Sequence, residues 1–358
     1  MKNLVREFRL RKEWSQIELA ERAGISRAAV SAIESGRIVP SVAAALQLAS
    51  VFACSVEELF GAAAPAGGVV WATPAPRDPC RFWHAEVNGR VLYYPTESTT
   101  VGYTPHDGVM EAGSIRLSAS FAPRQTLVVA CCDPAVGLLA AEYERASGFR
   151  LLVLPRSSRL ALDMVRSGTA HVAGLHLATA SEPEMNARLA KEMLDDDFSL
   201  LAGAHWDEGL AVRPQVDASS VEDVIRSNLV WIGREAGSGA RQCLEELLPD
   251  REAPAMIARD HRGVADAIRC GWADVGVCLK LPSEEAGLRF LSVRTEAYDL
   301  CFPSKYSDDP RIQALIKVMR STNYRDRLAE LPGYGATVTG ELTRVGAAAR
   351  EHNRATEP

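Results

Sequence analysis

The stretch Arg234-Glu235-Ala236-Gly237-Ser238-Gly239 runs into an amphipathic segment, Ala240 to Leu248. Amides at a helix start carry partial positive charge, and Gly237 and Gly239 let a ligand come close to them. The Ser238 hydroxyl and the Arg241 guanidinium add donors, so the loop suits an oxyanion. It is not a phosphate-binding Walker loop, because no Gly-Lys-Ser/Thr follows, and it lacks the third glycine of a dinucleotide fingerprint. Cys131-Cys132-Asp133 ends an apolar run. A thiol is a weak donor, and Asp133 would repel an anion unless it caps the following helix. Adjacent cysteines also suit oxidation sensing or a soft metal. His171 and His176 lie five residues apart, which on a strand puts them on opposite faces, so a shared metal site is not expected. Asp195-Asp196-Asp197 reads as a solvated loop rather than a cation site. No Gly-x-Ser-x-Gly and no nucleophile–base pair stands out. Neither a catalytic residue, a metal nor a cofactor is therefore expected.

A second kind of chemistry lies in Trp14–Gly36. Ser15 and Glu18 have capping-box spacing, Gly24 suits the left-handed turn between two helices, and Ser26 caps the second helix. Ala29, Val30 and Ile33 share that helix's apolar face, which leaves Arg27, Ala28 and Ser31 outward.

These groups must be positioned by a chain of 358 residues, long enough for two or three domains. Hydrophobic residues make up 47% and charged residues 24%, ordinary for a globular protein. No apolar run is long enough for a membrane span, and the N-terminus has no apolar signal core, so a cytoplasmic location with no membrane partner is expected. The eight cysteines form no C-x-x-C pair and are expected to be reduced thiols. Net charge is −6, but residues 1–40 hold eight Lys or Arg against five acids, a surplus of three. The remainder thus carries nine excess negative charges. A basic head on an acidic body fits a DNA-contacting module attached to something that does not touch DNA.

Taken in order, residues 1–61 read as five helices. The first spans 2–12 with Val5 and Phe8 inward. Ser41 caps the fourth, with Val42, Leu46, Leu48, Ala49 and Phe52 as its apolar positions, and Ser55 caps the fifth with Glu58. Residues 62–80 read as an Ala-, Gly- and Pro-rich linker. Residues 81–125 open with a β-hairpin around Asn88-Gly89 and serve as connector or dimer contact. From 126 to 340, strands and helices alternate. Strands are expected at 126–130, 150–154, 170–175, 229–232, 273–278, 288–293 and 298–302, with helices between them. This order implies two α/β units with parallel sheets and a cleft at the strand ends. Residues 341–358 form a tail.

The stretch Trp14–Gly36 resembles the helix-turn-helix of the Xre/Cro repressor family. The likeness is carried by Ser15-Gln16, Leu19-Ala20, Gly24, Ser26, Val30-Ser31, Glu34, Gly36, Pro40-Ser41, Leu48-Ala49 and the run Ser55–Phe60. It implies a duplex-DNA partner: Arg27, Ala28 and Ser31 facing base edges, and Gln16, Ser26, Arg9 and Arg37 near the phosphate backbone. Residues 126–340 resemble the type 2 periplasmic-binding-protein fold. More narrowly, they are similar to substrate-binding domains fused to Xre-type regulators and molybdopterin-biosynthesis proteins, relatives of the molybdate binders. Cys132-Asp133-Pro134-Ala135, Gly168 to Leu177, Glu235 to Arg241, Val264-Ala265, Ala273 to Gly276 and Tyr298-Asp299-Leu300 carry this likeness. It implies a two-lobed fold whose cleft is lined by Cys132, Asp133, Ser157, Ser158, His176, Gly237, Ser238, Gly239, Arg241, the Val264 amide and Tyr298. Cys132 stands where the molybdate binders offer a hydroxyl.

The expected architecture is thus multidomain: an all-α, five-helix Xre-type head and an α/β two-lobed effector domain. The expected function is a dimeric or larger ligand-responsive regulator that binds operator DNA and senses a small molecule or an oxyanion such as molybdate. The alternatives are a molybdopterin- or oxyanion-handling enzyme and a redox or metal sensor at Cys131-Cys132, with the head as targeting module.

Overall fold

The computed structural model describes residues 3, 5–12, 14–52, 54, 56–60, 69–73, 77–99, 102–118, 121–194 and 197–346. Ser55, Asp195, Asp196, residues 62–68 of the expected linker and 347–358 of the expected tail lie outside them. The chain divides into two units, Met1–Val70 and Trp71–Pro358.

The first unit holds α1 (Val5–Arg11), α2 (Gln16–Ala23), α3 (Arg27–Glu34), α4 (Val42–Phe52) and α5 (Val56–Phe60). The Ser15–Glu18 capping box forms in both directions, and Gly24 adopts φ 62° between α2 and α3. Leu19, Val30, Ile33, Leu48 and Leu59 are buried in its core, with Phe52 stacked on Trp14. Ser41 caps α4 through Ala44 N–H. Of its apolar positions, Val42 and Leu46 are 78% and 57% exposed. The buried stripe of α4 is Ala45, Leu48, Ala49 and Phe52. Leu46 lies one residue round from that stripe, and Val42 precedes the core in the first turn.

The second unit begins at Trp71, in the middle of the expected linker; its ring meets Phe82 and Tyr93, so the linker is docked at this residue. A small sheet follows: β1 (Cys80–Val87), β2 (Arg90–Pro95), β3 (Gly108–Glu111) and β4 (Ser114–Leu117), in the order β2-β1-β3-β4. The expected hairpin turn forms with φ 52° at Asn88 and 71° at Gly89. Residues 81–125 are more than a connector. Trp83, Ala85, Val87, Leu92 and Tyr94 share a core with Val128, Ala130, Leu152 and Leu154. Buried Arg150 also clamps both oxygens of Asp107 at 2.6 Å. The bidentate geometry satisfies two charges that would otherwise be stranded out of water.

The rest comprises β5 (Thr126–Cys131), α6 (Val136–Ser147), β6 (Arg150–Pro155), α7 (Ser158–Arg166), β7 (Val172–Thr179), α8 (Met185–Met193), β8 (Phe198–Val212), α9 (Val221–Arg226), β9 (Trp231–Arg234), α10 (Gly239–Leu247), β10 (Met256–Ala258), α11 (His261–Arg269), β11 (Val275–Leu279), α12 (Lys280–Glu285), β12 (Arg289–Pro303), α13 (Pro310–Met319), α14 (Thr322–Ala329), β13 (Tyr334–Gly335) and β14 (Leu342–Val345). One sheet runs β10-β9-β11-β8-β12-β7-β5-β6, with β13 and β14 also pairing β8. β5 to β7 with α6 to α8 make one lobe; β9 to β11 with α9 to α12 make the other. Within each lobe the neighbours are parallel.

The lobes are joined by β8 and β12, two antiparallel strands of fifteen residues each, paired along almost their whole length. β8 was not read from sequence, and β12 was expected as two separate strands. Both are continuous because the charges that interrupt their apolar pattern neutralise one another. Arg294 Nε donates to Glu208 Oε2 at 3.0 Å, and its Nη2 donates to Glu296 Oε1 at 2.7 Å. β14 makes the start of the expected tail a sheet strand. Among the described residues no helix is long and apolar enough to cross a membrane.

Candidate functional site

In the first unit, α3 presents Ser26, Arg27 and Ala28 exposed and Ser31 half-buried, while the Ser26 hydroxyl is held as cap acceptor by Ala29 N–H. Arg37 is exposed and donates to Ser35 Oγ. Arg9 is not available to phosphate as expected. It is 9% exposed and donates to both oxygens of Glu34, at 2.6 and 3.1 Å, and to Trp14 O at 2.7 Å. Gln16 Nε2 joins the same carboxylate at 2.9 Å. Glu34 thus gathers α1, α2 and α3 around one charge, which Arg9 neutralises.

In the second unit the two lobes meet where β5, β6 and β9 end. Here the structure separates the expected ligand residues into an inner cluster and an outer groove. The inner cluster contains Cys132 and His176, with Cys132 Sγ 3.1 Å from His176 Nε2. His176 does not end a strand as expected. β7 continues to Thr179 because it pairs with β12 up to Glu296. The His176 Nδ1 lies 3.0 Å from Glu296 Oε2, which also accepts from Trp206 Nε1 at 3.1 Å. A thiol, an imidazole and a carboxylate therefore stand in series, a constellation that no sequence spacing announced.

Burial lowers His176, but the Cys132 sulfur and the Glu208 charge together outweigh it, and the imidazole is held above its ordinary value. Burial pushes Glu208 up to about 8, with the Glu296 charge as the next cause. Burial likewise raises Glu296 against the opposing pull of Arg294. Asp133 Oδ1 accepts from Ala135 N–H at 2.8 Å and from Tyr334 Oη at 2.7 Å, and burial raises its carboxyl to about 6. It does not cap α6, whose N-cap is Ala135 and which has no side-chain cap bond; its oxygen is held by the chain just before the helix and by Tyr334.

Among the buried groups with unsatisfied polar atoms are three at this cluster, besides Tyr298. Arg234, 2% exposed at the end of β9, has all three guanidinium nitrogens without a hydrogen-bond partner among the described residues. His261, first residue of α11 and fully buried, has neither ring nitrogen partnered. Burial, then the charges of Arg234 and His176, holds its imidazole well below the ordinary value and so neutral. Ser157 Oγ is also unpartnered. Capping was expected to occupy one of the two serines. Instead the Ser157 side chain makes no cap bond, and Ser158 Oγ accepts from His176 N–H at 3.3 Å. His261 approaches His176 across the cleft, ring centroids 6.1 Å apart.

The outer groove, about 360 Å³, is lined by Arg159 from one lobe and by Gly237, Ser238 and Arg241 from the other. Ser238 is not a free donor: its hydroxyl donates to Glu235 O at 2.9 Å and accepts from Arg241 N–H at 3.2 Å. Arg241 pairs with Glu245 at 2.6 Å. Gly239 joins groove to cluster, because a Cβ there would fall 2.7 Å from His176 Cε1. Of two other expected ligand residues, Val264 is a packing residue, and Tyr298 keeps a buried hydroxyl with no bonded partner among the described residues. Val264 is fully buried, and its amide donates to Asp260 O inside α11. The Tyr298 ring stacks on Trp206 at 4.6 Å, and its hydroxyl, without a hydrogen-bond partner among the described residues, faces the Gly174 backbone.

Residues 140–320 match the sequence profile of the PBP superfamily domain. The chain belongs to that superfamily. Its head, residues 5–59, matches the helix-turn-helix profile. YvgK, an uncharacterized protein of Bacillus subtilis (strain 168), is 25% identical over 229 residues, 61% of this chain and 74% of its own. The helix-turn-helix-type transcriptional regulator YgzD of the same organism is 43% identical over 60 residues, 17% of this chain and 91% of its own. Among solved structures, PhnD1 of Prochlorococcus marinus (MIT 9301), in complex with methylphosphonate, aligns with TM-score 0.43 and 11% identity, over 63% of this chain and 94% of its own.

Within this PBP-superfamily cleft, sequence reasoning missed Arg234, His261 and Glu296. The available signal for Arg234 was a lone cation closing the apolar run Leu229–Ile232 just before the glycine loop. His261 follows Asp260, the cap of α11, and is thereby fixed at a helix start. Glu296 carried no local signal, since its partners Arg294, Trp206 and His176 come from three strands.

Proposed function

We propose that the protein is a ligand-responsive transcriptional regulator whose helix-turn-helix head binds operator DNA and whose second unit closes its lobes on a small anionic effector. The observation that carries the effector class is Arg234: a guanidinium removed from water with no partner costs several kcal/mol, and an anion relieves it. Ser157 and His261 are further donors in want of acceptors, one from each lobe, so closure and binding are a single event. Tetrahedral oxyanions, molybdate among them, and small organic acids belong to this class. In the head, Arg27, Ala28 and Ser31 read base edges, with Arg27 able to pair with guanine. Ser26, Arg37 and the remaining capacity of Gln16 meet the backbone. The protein works in the cytoplasm as a dimer, because two half-sites are needed for tight binding by so small a head.

The test is thermal unfolding of the full-length protein with phosphate, sulfate, molybdate and carboxylic acids, followed by DNA selection with and without any stabilising anion. An anion at one hundred times its Kd adds about 2.7 kcal/mol to the unit that binds it. Wild type should be stabilised and Arg234→Met should not, and the anion should change DNA affinity in wild type alone. Turnover of the anion, or DNA affinity indifferent to every anion that stabilises the protein, defeats the reading.

A further inference from the structure

The inner cluster asks for more than an anion. Cys132 Sγ, a His176 ring nitrogen and a His261 ring nitrogen all lie within 4.8 Å of one another. His176 is oriented for this: its Nδ1 faces the Glu296 carboxylate, which leaves Nε2 and its lone pair toward Cys132. A carboxylate behind a histidine is the arrangement that fixes tautomer and ring plane in metal-binding histidines. His261 supplies the independent observation. It is fully buried, and both ring nitrogens lack a partner among the described residues. Buried polar atoms in folded proteins are as a rule satisfied, which leaves this ring with two nitrogens open to a bound group.

We propose that Cys132, His176 and His261 hold a borderline or soft divalent transition-metal ion between the lobes, with the anion that pairs with Arg234 in the remaining position. This rests on the reading of the cleft as an anion-sensing site and names what the anion is bound to. One thiolate and two imidazoles suit zinc, cobalt, nickel or copper rather than magnesium or calcium. Three protein ligands with a fourth place left for an exogenous group is the pattern of an open tetrahedral site. Arg234 would repel a bare cation, and the anion between them removes that repulsion. Two ligands come from one lobe and the third from the other, so the ion clamps the cleft shut.

The experiment uses the full-length protein, stripped with a chelator and titrated with Co(II). Wild type should show thiolate-to-cobalt charge-transfer absorption and the intensified visible bands of tetrahedral cobalt. Cys132→Ser should lose the charge-transfer absorption, and Cys270→Ser, at an exposed thiol, should keep it. His261→Gln should weaken cobalt binding about ten-fold or more. Phosphate or molybdate should alter the visible bands in wild type but not in Arg234→Met. Near-UV circular dichroism of each stripped variant separates a lost ligand from a lost fold. Folded wild type without charge-transfer absorption, or Cys132→Ser that retains it, overturns the metal site. If anions still stabilise wild type and not Arg234→Met in that case, the anion reading survives alone. Cobalt bound at these three residues with no anion effect on spectrum or melting supports the metal site and defeats the anion reading.

Discussion

Acidification should destabilise the second unit through His171, and the size of the effect can be worked from its surroundings. His171 lies outside the cleft, between the small sheet and β5. Its Nδ1 accepts from Val128 N–H at 3.0 Å, and its Nε2 donates to Glu86 O at 3.0 Å. Both nitrogens are therefore committed in the neutral form, and a second proton would have to displace the Val128 amide. The Tyr306 ring packs on it, Arg311 opposes its protonation and Asp309 favours it. Burial, then Arg311, lowers its pKa from 6.5 to about 3. The unfolded chain thus binds a proton between about pH 6.5 and 3 that the native chain refuses. The contribution is fully present above that window and is lost as pH falls through it, by about 1.4 kcal/mol per pH unit at most. His171→Gln keeps one acceptor and one donor but cannot titrate. It should be less stable than wild type near neutral pH, and by about pH 4.5 the gap should have narrowed by about 2–3 kcal/mol. Urea unfolding of both proteins at the two pH values reads this directly, and subtraction cancels the carboxylates common to both. A gap that stays constant refutes the assignment of a neutral, doubly bonded His171.

Three further outcomes follow from particular contacts. Arg27→Ala should flatten sequence preference in DNA selection with a loss of about 1–3 kcal/mol at one base position; an unchanged preference would contradict the exposed face of α3 as reader. Arg9→Met should unfold or loosen the head by about 3–5 kcal/mol, because it strands Glu34, and Arg9→Met with Glu34→Leu should recover most of that loss. Circular dichroism melts check this, and a fully folded Arg9→Met head that merely binds all DNA more weakly would restore the phosphate role. Gly239→Ala puts a Cβ 2.7 Å from His176 Cε1 and 3.1 Å from its carbonyl oxygen, so α10 must withdraw. Overpacking of this kind costs about 1–3 kcal/mol, or roughly five- to 150-fold in cobalt or anion affinity. Equal affinity would mean that α10 does not approach His176 in the bound form.

How much of this was legible in the sequence depends on whether a residue's role is local. Ser15, Glu18, Gly24 and Ser26 act within a few residues of themselves, and the head could be read from them. The alternation of β5, α6, β6 and α7 was legible for the same reason, each apolar run being a complete signal. β8 and β12 were not, since Glu208, Arg294 and Glu296 look like surface charges until they are seen to face one another. The cleft was legible in outline only. Gly237, Ser238 and Arg241 have the composition of an anion loop, yet the Ser238 hydroxyl is taken up by the loop's own hydrogen bonds and Arg241 pairs with Glu245. Arg234 and His261 have no motif, and their unsatisfied nitrogens exist only once two lobes are closed. Arg9 failed in the opposite direction, as a basic residue beside a DNA-reading helix whose charge is used internally.

The long strand pair has a mechanical consequence. Its register shifts between Ser292 and Arg294 and again between Tyr298 and Asp299. The interval bounded by these two slips contains Glu296, where a two-ply ribbon can twist without breaking its ladder. Near a pivot the lever arm vanishes, so the Glu296 carboxylate moves little while each lobe swings. His176 is tethered to it from one lobe, whereas His261 and Arg234 belong to the other lobe. A change of twist in the ribbon would change the separation of Cys132 from His261, so that separation is set by what lies between the lobes.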